Sequence, residues 1–452
     1  MKTSIILLPL LISTVMAANL DDIRAALVNR VDEGRKAVGI VAGTIDASGQ
    51  HLVAYGKIDR KSDRPPDGDT VFEIGSLTKV FTSLLLADMV ERGEVNLDDP
   101  VAKYLPAGAK VPTRGGRQIT LLDLSMHISG LPRLPKNLDP ADPLNPYADY
   151  TGARPLDFLA GYTLTRDIGE KYEYSNLGAG LLGFALAHRA GMTYKELVRR
   201  RILEPLGMTS TAITLSDEQK QRLATGYNTG LEPTNLWDLD ALAGAGALRS
   251  TANDILKFLA ANMGLTDSPL KSAMARMQSV HRETGLADLE VLMAWHEWHK
   301  YGRDIVWHDG GTGGYHSWAG FDPAGKTAAV VLCNTAFDVQ DIGLHAIESR
   351  WPLAKFPPAK QRVETVLPPE AASRVTGEYR FSPKISLMVT QDGPRMFVQL
   401  TGQPKVEIYA ESETEFFLKA VDAQLTFEID KSGKVTGVVL HQNGRDQLAI
   451  RR

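Results

Sequence analysis

Apolar and polar residues alternate in strand-like segments near both ends of the chain that precedes residue 352. After an amphipathic helix over residues 21–36, "VGIVAGTIDASGQHLVAYGKID" predicts two strands around an Asp46–Gly49 turn. Strand patterns return from residue 304 in "DIVWHDGG", "YHSWAGFDP" and "TAAVVLCNT", and residues 341–351 predict a closing helix. Helical patterns such as "LGAGLLGFALAHRAG" dominate the middle. We therefore expect an α+β fold, in which helices and a helical region flank an antiparallel sheet.

The pattern changes after residue 351. Residues 352–370 are rich in proline and have no amphipathic period, which predicts a linker. Residues 371–452 carry short strand patterns with turn signals at Asp392-Gly393, Ser432-Gly433 and Asn443-Gly444. This region is predicted to be a small all-β barrel or sandwich. It could shape the site, mediate assembly or shield one face.

The N-terminus has the pattern of an export signal. Residues 1–17 combine Lys2, an apolar run over 5–12 and the compact residues Val15 and Ala17. This arrangement is typical of a signal peptide cleaved after Ala17. The run is far shorter than the roughly 20 residues of a membrane span. We expect a secreted or periplasmic protein without a membrane span, whose main domain covers residues 18–351.

Composition narrows the possible partners. The 452 residues include 50 Lys and Arg and 54 Asp and Glu, a net charge of −4 that does not indicate nucleic acid as a partner. Cys333 is the single cysteine, so the chain cannot form an intramolecular disulfide. His296 and His299 in "WHEWHK" do not meet the metal-protease pattern H-E-x-x-H. We therefore predict no metal and no cofactor.

Chemistry is suggested where an apolar helix begins within "FEIGSLTKVFTSLLLADMVERGEV". Ser76 and Lys79 are three residues apart, so they share a helix face, which continues into Leu84 and Leu85. Burial lowers the pKa of a lysine, which can then act as a base for a neighbouring hydroxyl. Backbone N–H groups at a helix start can also stabilise an oxyanion. Taken alone, S-x-x-K is common, and a capping serine with a solvent-reaching lysine is the favoured interpretation.

Two further segments attract attention. Tyr174-Ser175-Asn176 directly precedes a glycine-rich apolar helix, and His308-Asp309-Gly310 with Gly311 lies on a late strand. Glycines in a strand permit another backbone to approach closely. Each segment alone is explained by a capping turn or by a hairpin with a structural histidine.

Together the three segments resemble one family. S-x-x-K, then Y-x-N roughly 100 residues later, then a basic residue-x-G on a late strand resemble the class C β-lactamases and related penicillin-recognising serine hydrolases. The stretches "ITLLDLSMHISGLP", "ILEPLGMTSTAI" and "AGAGALRSTANDILKF" resemble the same family. The resemblance covers roughly residues 22–350.

The resemblance implies roles for individual residues. Ser76 would be the nucleophile that forms an acyl-enzyme, Lys79 and Tyr174 would share the general-base work, and Tyr174 would protonate the leaving group. Asn176 would bind the amide of a substrate. The backbone N–H groups of Ser76 and Gly311 would form an oxyanion hole.

One departure concerns the substrate. The β-lactamases of the family carry Lys-Thr-Gly where this chain has His308-Asp309-Gly310. A neutral histidine offers less charge to a substrate carboxylate than a lysine does, although His308 could supply charge once protonated, near pH ~6.5. His-x-G resembles the D-amino-acid peptidases of the superfamily, and other residues occur in its family VIII esterases.

The leading expectation is therefore hydrolysis of an amide, in a β-lactam or a peptide that contains D-amino acids. A carboxylesterase using the same serine and a non-catalytic binder of penicillin or peptidoglycan peptides are the alternatives. The presence of Ser76, Lys79 and Tyr174 together argues against the binder.

Overall fold

The computed structural model describes residues 20–359, 362–383, 385–421, 423–442 and 445–452. The predicted signal peptide and the Asn443-Gly444 turn lie outside the described residues. In the described part of the chain, no helix combines the length and apolar character needed to cross a membrane.

The helices lie mainly in the middle of the chain, as the patterns predict. The predicted first helix begins at Leu20, and its final turn, Asn29–Glu33, has the wider π-type geometry. The helices are α1 (Leu20–Val28), α2 (Thr78–Glu91), α3 (Leu121–Ser125), α4 (Arg154–Gly161), α5 (Asn176–Ala190), α6 (Tyr194–Val198), α7 (Asp217–Gln221), α8 (Ala243–Gly246), α9 (Ala252–Asn262), α10 (Lys271–Ser279), α11 (Gln340–Ile347) and α12 (Pro369–Val375).

The strands before residue 352 form one large sheet and two small ribbons. The large sheet has eight strands in the order β2-β1-β12-β11-β10-β9-β8-β7, and β3 pairs with β6 and β4 with β5. The strands are β1 (Gly39–Asp46), β2 (Gly49–Gly56), β3 (Phe72–Glu73), β4 (Thr113–Arg114), β5 (Arg117–Gln118), β6 (Arg249–Ser250), β7 (Arg282–Glu283), β8 (Leu289–Val291), β9 (His296–Lys300), β10 (Arg303–Gly311), β11 (His316–Asp322) and β12 (Thr327–Cys333).

The α+β prediction is confirmed, because segments distant in sequence meet at the centre of the large sheet. β1 pairs antiparallel with β12, with Ile40 opposite Cys333 and Ala42 opposite Val331. These alternating side chains are buried, and they pack with α1 and α11 on one face of the sheet. Val41 and Val330 belong to the larger core on the other face, with α2, α5 and α9. The sheet is therefore covered on both faces by helices.

The last strands form a separate closed barrel in the order β13 to β20. Of the two predicted forms, a barrel or a sandwich, the structure therefore has the barrel. The barrel interior holds Tyr379, Phe416 and Phe427, and the unpredicted helix α12 packs Ala372 and Val375 against it. The strands are β13 (Gly377–Ser382), β14 (Ile385–Asp392), β15 (Arg395–Leu400), β16 (Val406–Ala410), β17 (Glu415–Leu418), β18 (Ala423–Ile429), β19 (Val435–Gln442) and β20 (Arg445–Arg451).

The proline-rich segment is held against its neighbours at both ends. Asn29 and Phe356 exchange two hydrogen bonds of 2.9 Å, and the Arg30 guanidinium donates to the Ala354 carbonyl at 2.6 Å. Near the barrel, Lys419 pairs with Glu364 at 2.9 Å. The segment is therefore docked rather than free, while the division into domains 18–351 and 371–452 stays a prediction.

Candidate active site

Ser76 lies in a tight 3-10 turn, Gly75–Leu77, that leads directly into α2. Gly75 has a φ of +49°, and a Cβ atom there would come within 2.8 Å of the Gly311 backbone. The Ser317 hydroxyl donates to the Ile74 carbonyl at 2.8 Å and fixes the approach to the turn. Glycine is therefore required before Ser76, since the turn is pressed against β10.

Lys79 is buried beside Ser76. Its Nζ lies 2.9 Å from Ser76 Oγ and donates to the Ala245 carbonyl at 2.7 Å. The side chain is 1% exposed, and this burial, with the positive charge of Arg133, lowers the pKa of the Lys79 ammonium well below its usual range. The structure thus brings together the pair expected from S-x-x-K, and its electrostatics favour a neutral amine beside the hydroxyl.

Tyr174 closes the other side of Ser76. Tyr174 lines the same cleft as Ser76, and the Lys79 Nζ lies 4.8 Å from the centre of its ring. Burial raises the pKa of the Tyr174 hydroxyl strongly, so the residue is a neutral phenol. Lys79 is consequently the better base, and Tyr174 the better proton donor, of the two.

Asn176 is the first residue of α5, and the Ser175 side chain caps that helix by accepting from the Gly178 N–H at 2.9 Å. The Asn176 side chain lines the cleft together with Ser76 and Tyr147. Among the described residues, its buried Oδ1 atom has no hydrogen-bond partner. An acceptor is therefore available for a donor on a bound molecule.

Gly310 and Gly311 bring β10 against the serine turn. A Cβ atom on Gly310 would lie 2.0 Å from the Ile74 carbonyl oxygen and 2.9 Å from the Ser76 nitrogen. Any larger residue at Gly310 would separate the strand from the turn. The close approach places the backbone of Gly311 beside that of Ser76 at the cleft wall. Paired N–H groups of this kind can hold an oxyanion.

His308 behaves differently from the sequence expectation. Its ring is fully buried, and its Nδ1 is hydrogen-bonded to the Asp309 carbonyl. Burial and the nearby Lys79 lower the pKa of His308 to about 3. This shift disfavours the expected protonation near pH 6.5, because burial outweighs the Asp309 carboxylate, whose Oδ1 lies 4.0 Å from the His308 Nδ1. His308 is a neutral residue behind Lys79 and Tyr174.

The sequence patterns missed several residues of the cleft, whose volume is about 430 Å³. Arg133 lies at the mouth, with its guanidinium 5.0 Å from the centre of the Tyr174 ring. Tyr147 and Trp237 form an aromatic wall, with ring centres 5.3 Å apart. Arg133 directly follows the family-like stretch "ITLLDLSMHISGLP", which was the available signal. Trp237 lies in an irregular loop and had none.

A buried ion pair positions that aromatic wall. Glu73 and Arg249 are 3.1 Å apart and are 3% and 8% exposed. Glu73 accepts from the Trp237 N–H at 2.9 Å, while Arg249 donates to the Trp237 carbonyl at 2.9 Å. The pair therefore fixes the Trp237 backbone against the strand that leads into the serine turn.

Two family models match separate parts of the chain. Residues 24–347 match the β-lactamase family, and residues 361–451 match a domain of unknown function, DUF3471. The chain is 34% identical over 238 residues to the D-alanyl-D-alanine-carboxypeptidase/endopeptidase AmpH of Escherichia coli K12, across 53% of this chain and 60% of AmpH. It thus spans less than two thirds of that relative. Penicillin-binding protein 4* of Bacillus subtilis is 25% identical over 443 residues, 89% of this chain and 91% of its own.

Solved structures show the same architecture. A β-lactamase/D-alanine carboxypeptidase from Yersinia pestis aligns with a TM-score of 0.61 and 26% identity over 70% of this chain and 94% of its own. A class C β-lactamase aligns with a TM-score of 0.63 over 72% of this chain and 95% of its own. At 20% identity, the latter is a likeness of fold.

Proposed function

Because this chain belongs to the β-lactamase family, we propose that it is an acyl-enzyme serine hydrolase with Ser76 as its nucleophile. The observation that carries the proposal is the contact of 2.9 Å between Lys79 Nζ and Ser76 Oγ in a buried setting. A buried lysine without a partner carboxylate costs free energy. That cost is understandable if the neutral amine serves as a base for the hydroxyl.

The arrangement supports the following reaction. The Lys79 amine takes the proton of Ser76 as Oγ attacks the substrate carbonyl carbon. The N–H groups of Ser76 and Gly311 stabilise the resulting oxyanion. Tyr174, a neutral phenol, donates its proton to the leaving nitrogen, and the Lys79 ammonium restores it. Water then attacks the acyl-enzyme through the reverse proton transfers.

An amide with a nearby carboxylate is the substrate that fits the cleft best. The free Asn176 Oδ1 can accept from a substrate N–H. Arg133 at the mouth carries the permanent charge that His308 lacks, so it can bind the carboxylate of a D-alanyl peptide or a β-lactam. The D-alanyl-D-alanine-carboxypeptidase AmpH is a relative in keeping with this substrate class.

A carboxylesterase is the second candidate. Asp309 also lines the cleft, with its side chain 42% exposed, and its negative charge opposes a substrate carboxylate. A neutral ester would not meet that repulsion. We propose in addition that the protein acts outside the cytoplasm, since residues 1–17 have the pattern of a signal peptide.

Mass spectrometry of the intact protein tests the proposal. The wild type is incubated with a penicillin, a D-alanyl peptide or a short p-nitrophenyl ester, and Ser76→Ala is treated identically. We expect an acyl adduct on the wild type, none on Ser76→Ala, and a loss of turnover of at least ~10³-fold in that variant. An adduct on Ser76→Ala would overturn the assignment of the nucleophile. Adducts from the ester alone would make the carboxylesterase the favoured function.

A further inference from the structure

A second group of titratable side chains lies away from Ser76, at the edge of the large sheet. His281 Nδ1 lies 3.0 Å from Glu290 Oε2 and 3.2 Å from Glu297 Oε2. His299 Nε2 lies 3.8 Å from each of the same two oxygens. Two imidazoles thus converge on two carboxylates. His281 lies just before β7, Glu290 lies on β8, and Glu297 and His299 lie on β9.

Strand pairing explains why the group forms. Glu290 on β8 is directly opposite Glu297 on β9, and His299 on β9 is directly opposite Asp304 on β10. Glu297 and His299 are two residues apart, so they project from the same face of the sheet. The sequence test for H-E-x-x-H could not find this group, because its members come from several strands.

The two glutamates are poorly compensated. Like charges directly opposite in a sheet are destabilising. Glu297 is 6% exposed, and among the described residues its Oε2 has no hydrogen-bond partner, since His281 Nδ1 is hydrogen-bonded to Glu290 instead. Burial raises the pKa of Glu297, and the facing His281 and His299 offset that rise only in part. A buried carboxylate oxygen therefore points into the group without a hydrogen bond among the described residues.

The spacing of the atoms fits a small tetrahedral cation. Zinc lies about 2.0–2.2 Å from imidazole nitrogens and carboxylate oxygens, which places its ligands about 3.3–3.6 Å from each other. The measured separations of 3.0, 3.2 and 3.8 Å bracket that value. The coordinating atoms of His281, Glu290 and Glu297 all lie within 4.8 Å of one another. His299 Nε2 lies farther out, 3.8 Å from Glu290 Oε2 and from Glu297 Oε2, so its side chain has to move inward to become a fourth ligand.

His299 is already oriented for such a role. Its Nδ1 lies 2.8 Å from Asp304 Oδ1, which fixes that nitrogen as the donor and directs the Nε2 lone pair towards Glu290 and Glu297. A carboxylate that holds the far nitrogen of a histidine is the usual support of a metal-binding imidazole.

We propose that this sheet edge binds one Zn²⁺ ion through His281 Nδ1, Glu290 Oε2, Glu297 Oε2 and His299 Nε2, with Asp304 orienting His299. Four protein ligands leave no open position, so the ion is structural rather than catalytic. It cancels the charge of the opposed glutamates and ties β8 and β9 to the segment before β7. The inference does not depend on the proposed hydrolase.

Calorimetric titration of the untagged, chelator-treated full-length protein with ZnCl₂ tests the proposal. We expect one equivalent of Zn²⁺ to bind and the melting temperature to rise. His281→Ala and Glu297→Gln should each weaken binding at least about 10-fold. His441→Ala is the matched control, because His441 is also paired with a carboxylate, Asp446, at 2.7 Å, but lies in the barrel. Its affinity for Zn²⁺ should be unchanged.

The outcomes separate a metal site from simple ion pairs. Absence of Zn²⁺ binding, or equal binding by the wild type, His281→Ala and Glu297→Gln, would show that the group holds only proton-dependent ion pairs and would overturn the proposal. If Glu297→Gln fails to fold by circular dichroism, His281→Ala decides alone, because its side chain is 39% exposed. Anomalous scattering at the zinc edge between His281 and Glu297 would locate the ion.

Discussion

The hairpin of β9 and β10 carries histidines in two contrasting environments. The interior cluster, defined as His127, His296 and His308, is buried beside the cleft, and the pKa of each ring is lowered, chiefly by burial. The rim cluster, defined as His281 and His299 with their carboxylates, is partly exposed, and the Asp304 hydrogen bond raises the pKa of His299. Residue type alone therefore does not fix charge, because deep burial and a carboxylate hydrogen bond near solvent shift a histidine pKa in opposite directions.

The interior cluster forms part of the setting of Lys79. The ring centres of His127 and Tyr174 are 4.5 Å apart, those of Tyr174 and His308 6.2 Å, and those of His308 and His296 5.2 Å. These uncharged rings exclude water without supplying negative charge. The same desolvation that keeps the histidines neutral therefore lowers the pKa of Lys79.

The largest effect is expected when the buried amine beside Ser76 is replaced by a group that always remains charged. Lys79→Arg places a guanidinium beside Ser76, and arginine remains protonated in proteins. We expect turnover to fall by about 10²–10⁴-fold, the usual contribution of a general base. Steady-state kinetics on any accepted substrate measures this, and circular dichroism checks the fold. Turnover close to that of the wild type would mean that a neutral Lys79 is not needed.

A smaller effect is expected at the mouth of the cleft, where the interior meets solvent and Arg133 supplies fixed charge. Arg133→Gln should lower kcat/KM for a substrate with a carboxylate by about 10- to 150-fold, the worth of one hydrogen bond to a charged group. Neutral esters should respond little. Lys136→Gln, an exposed cation in the same loop that does not line the cleft, is the matched control. Equal losses for both substrate types would exclude Arg133 as a carboxylate-binding residue.

The fold was more predictable than the charges in the site. The continuous apolar run in "TAAVVLCNT" sufficed to predict β12, since a strand buried on both faces remains apolar throughout. The strands β7, β8 and β9 have two, three and five residues, too few for a period to emerge, and they were missed. The protonation of His308 could not be predicted either, because it depends on packing by segments distant in sequence.

Motif positions in the site were predictable for a local reason. Ser76 and Lys79 are separated by about one helical turn, so their spacing places them on one face, where the structure brings them into contact. Arg133 and Trp237 reach the same cleft through irregular loops, whose paths are set by tertiary contacts such as the Glu73–Arg249 pair. Local geometry is therefore readable from sequence, whereas loop-borne residues require the fold.

Acid stability offers a sharper test of the interior cluster. The folded-state pKa of His308 is about 3, below the unfolded value of about 6.5, so the unfolded chain binds the extra proton. Stability is then fully present above pH ~6.5 and is lost as pH falls, by about 2 kcal/mol at pH 5 for this residue. In urea unfolding at pH 7 and pH 5, His308→Asn should lose less stability on acidification than the wild type. An identical pH dependence in the wild type and His308→Asn would contradict a depressed His308 pKa.

The smallest effect is a difference in titration between the two clusters, and it tests the comparison directly. In metal-free protein with isotopically labelled histidine, NMR spectra from pH 8 to pH 5 should show the His299 resonance titrating above the ordinary pKa of ~6.5. The His308 resonance should remain unchanged over the same range, because its pKa is about 3.

His299→Asn and His308→Asn assign the two signals by their disappearance. Asp304→Asn should return the His299 midpoint towards the ordinary value, since the hydrogen bond to a carboxylate is the main cause of the rise. A His308 titration midpoint between pH 5 and pH 8 would remove the contrast between the clusters. His308 would then again be a candidate for binding a substrate carboxylate.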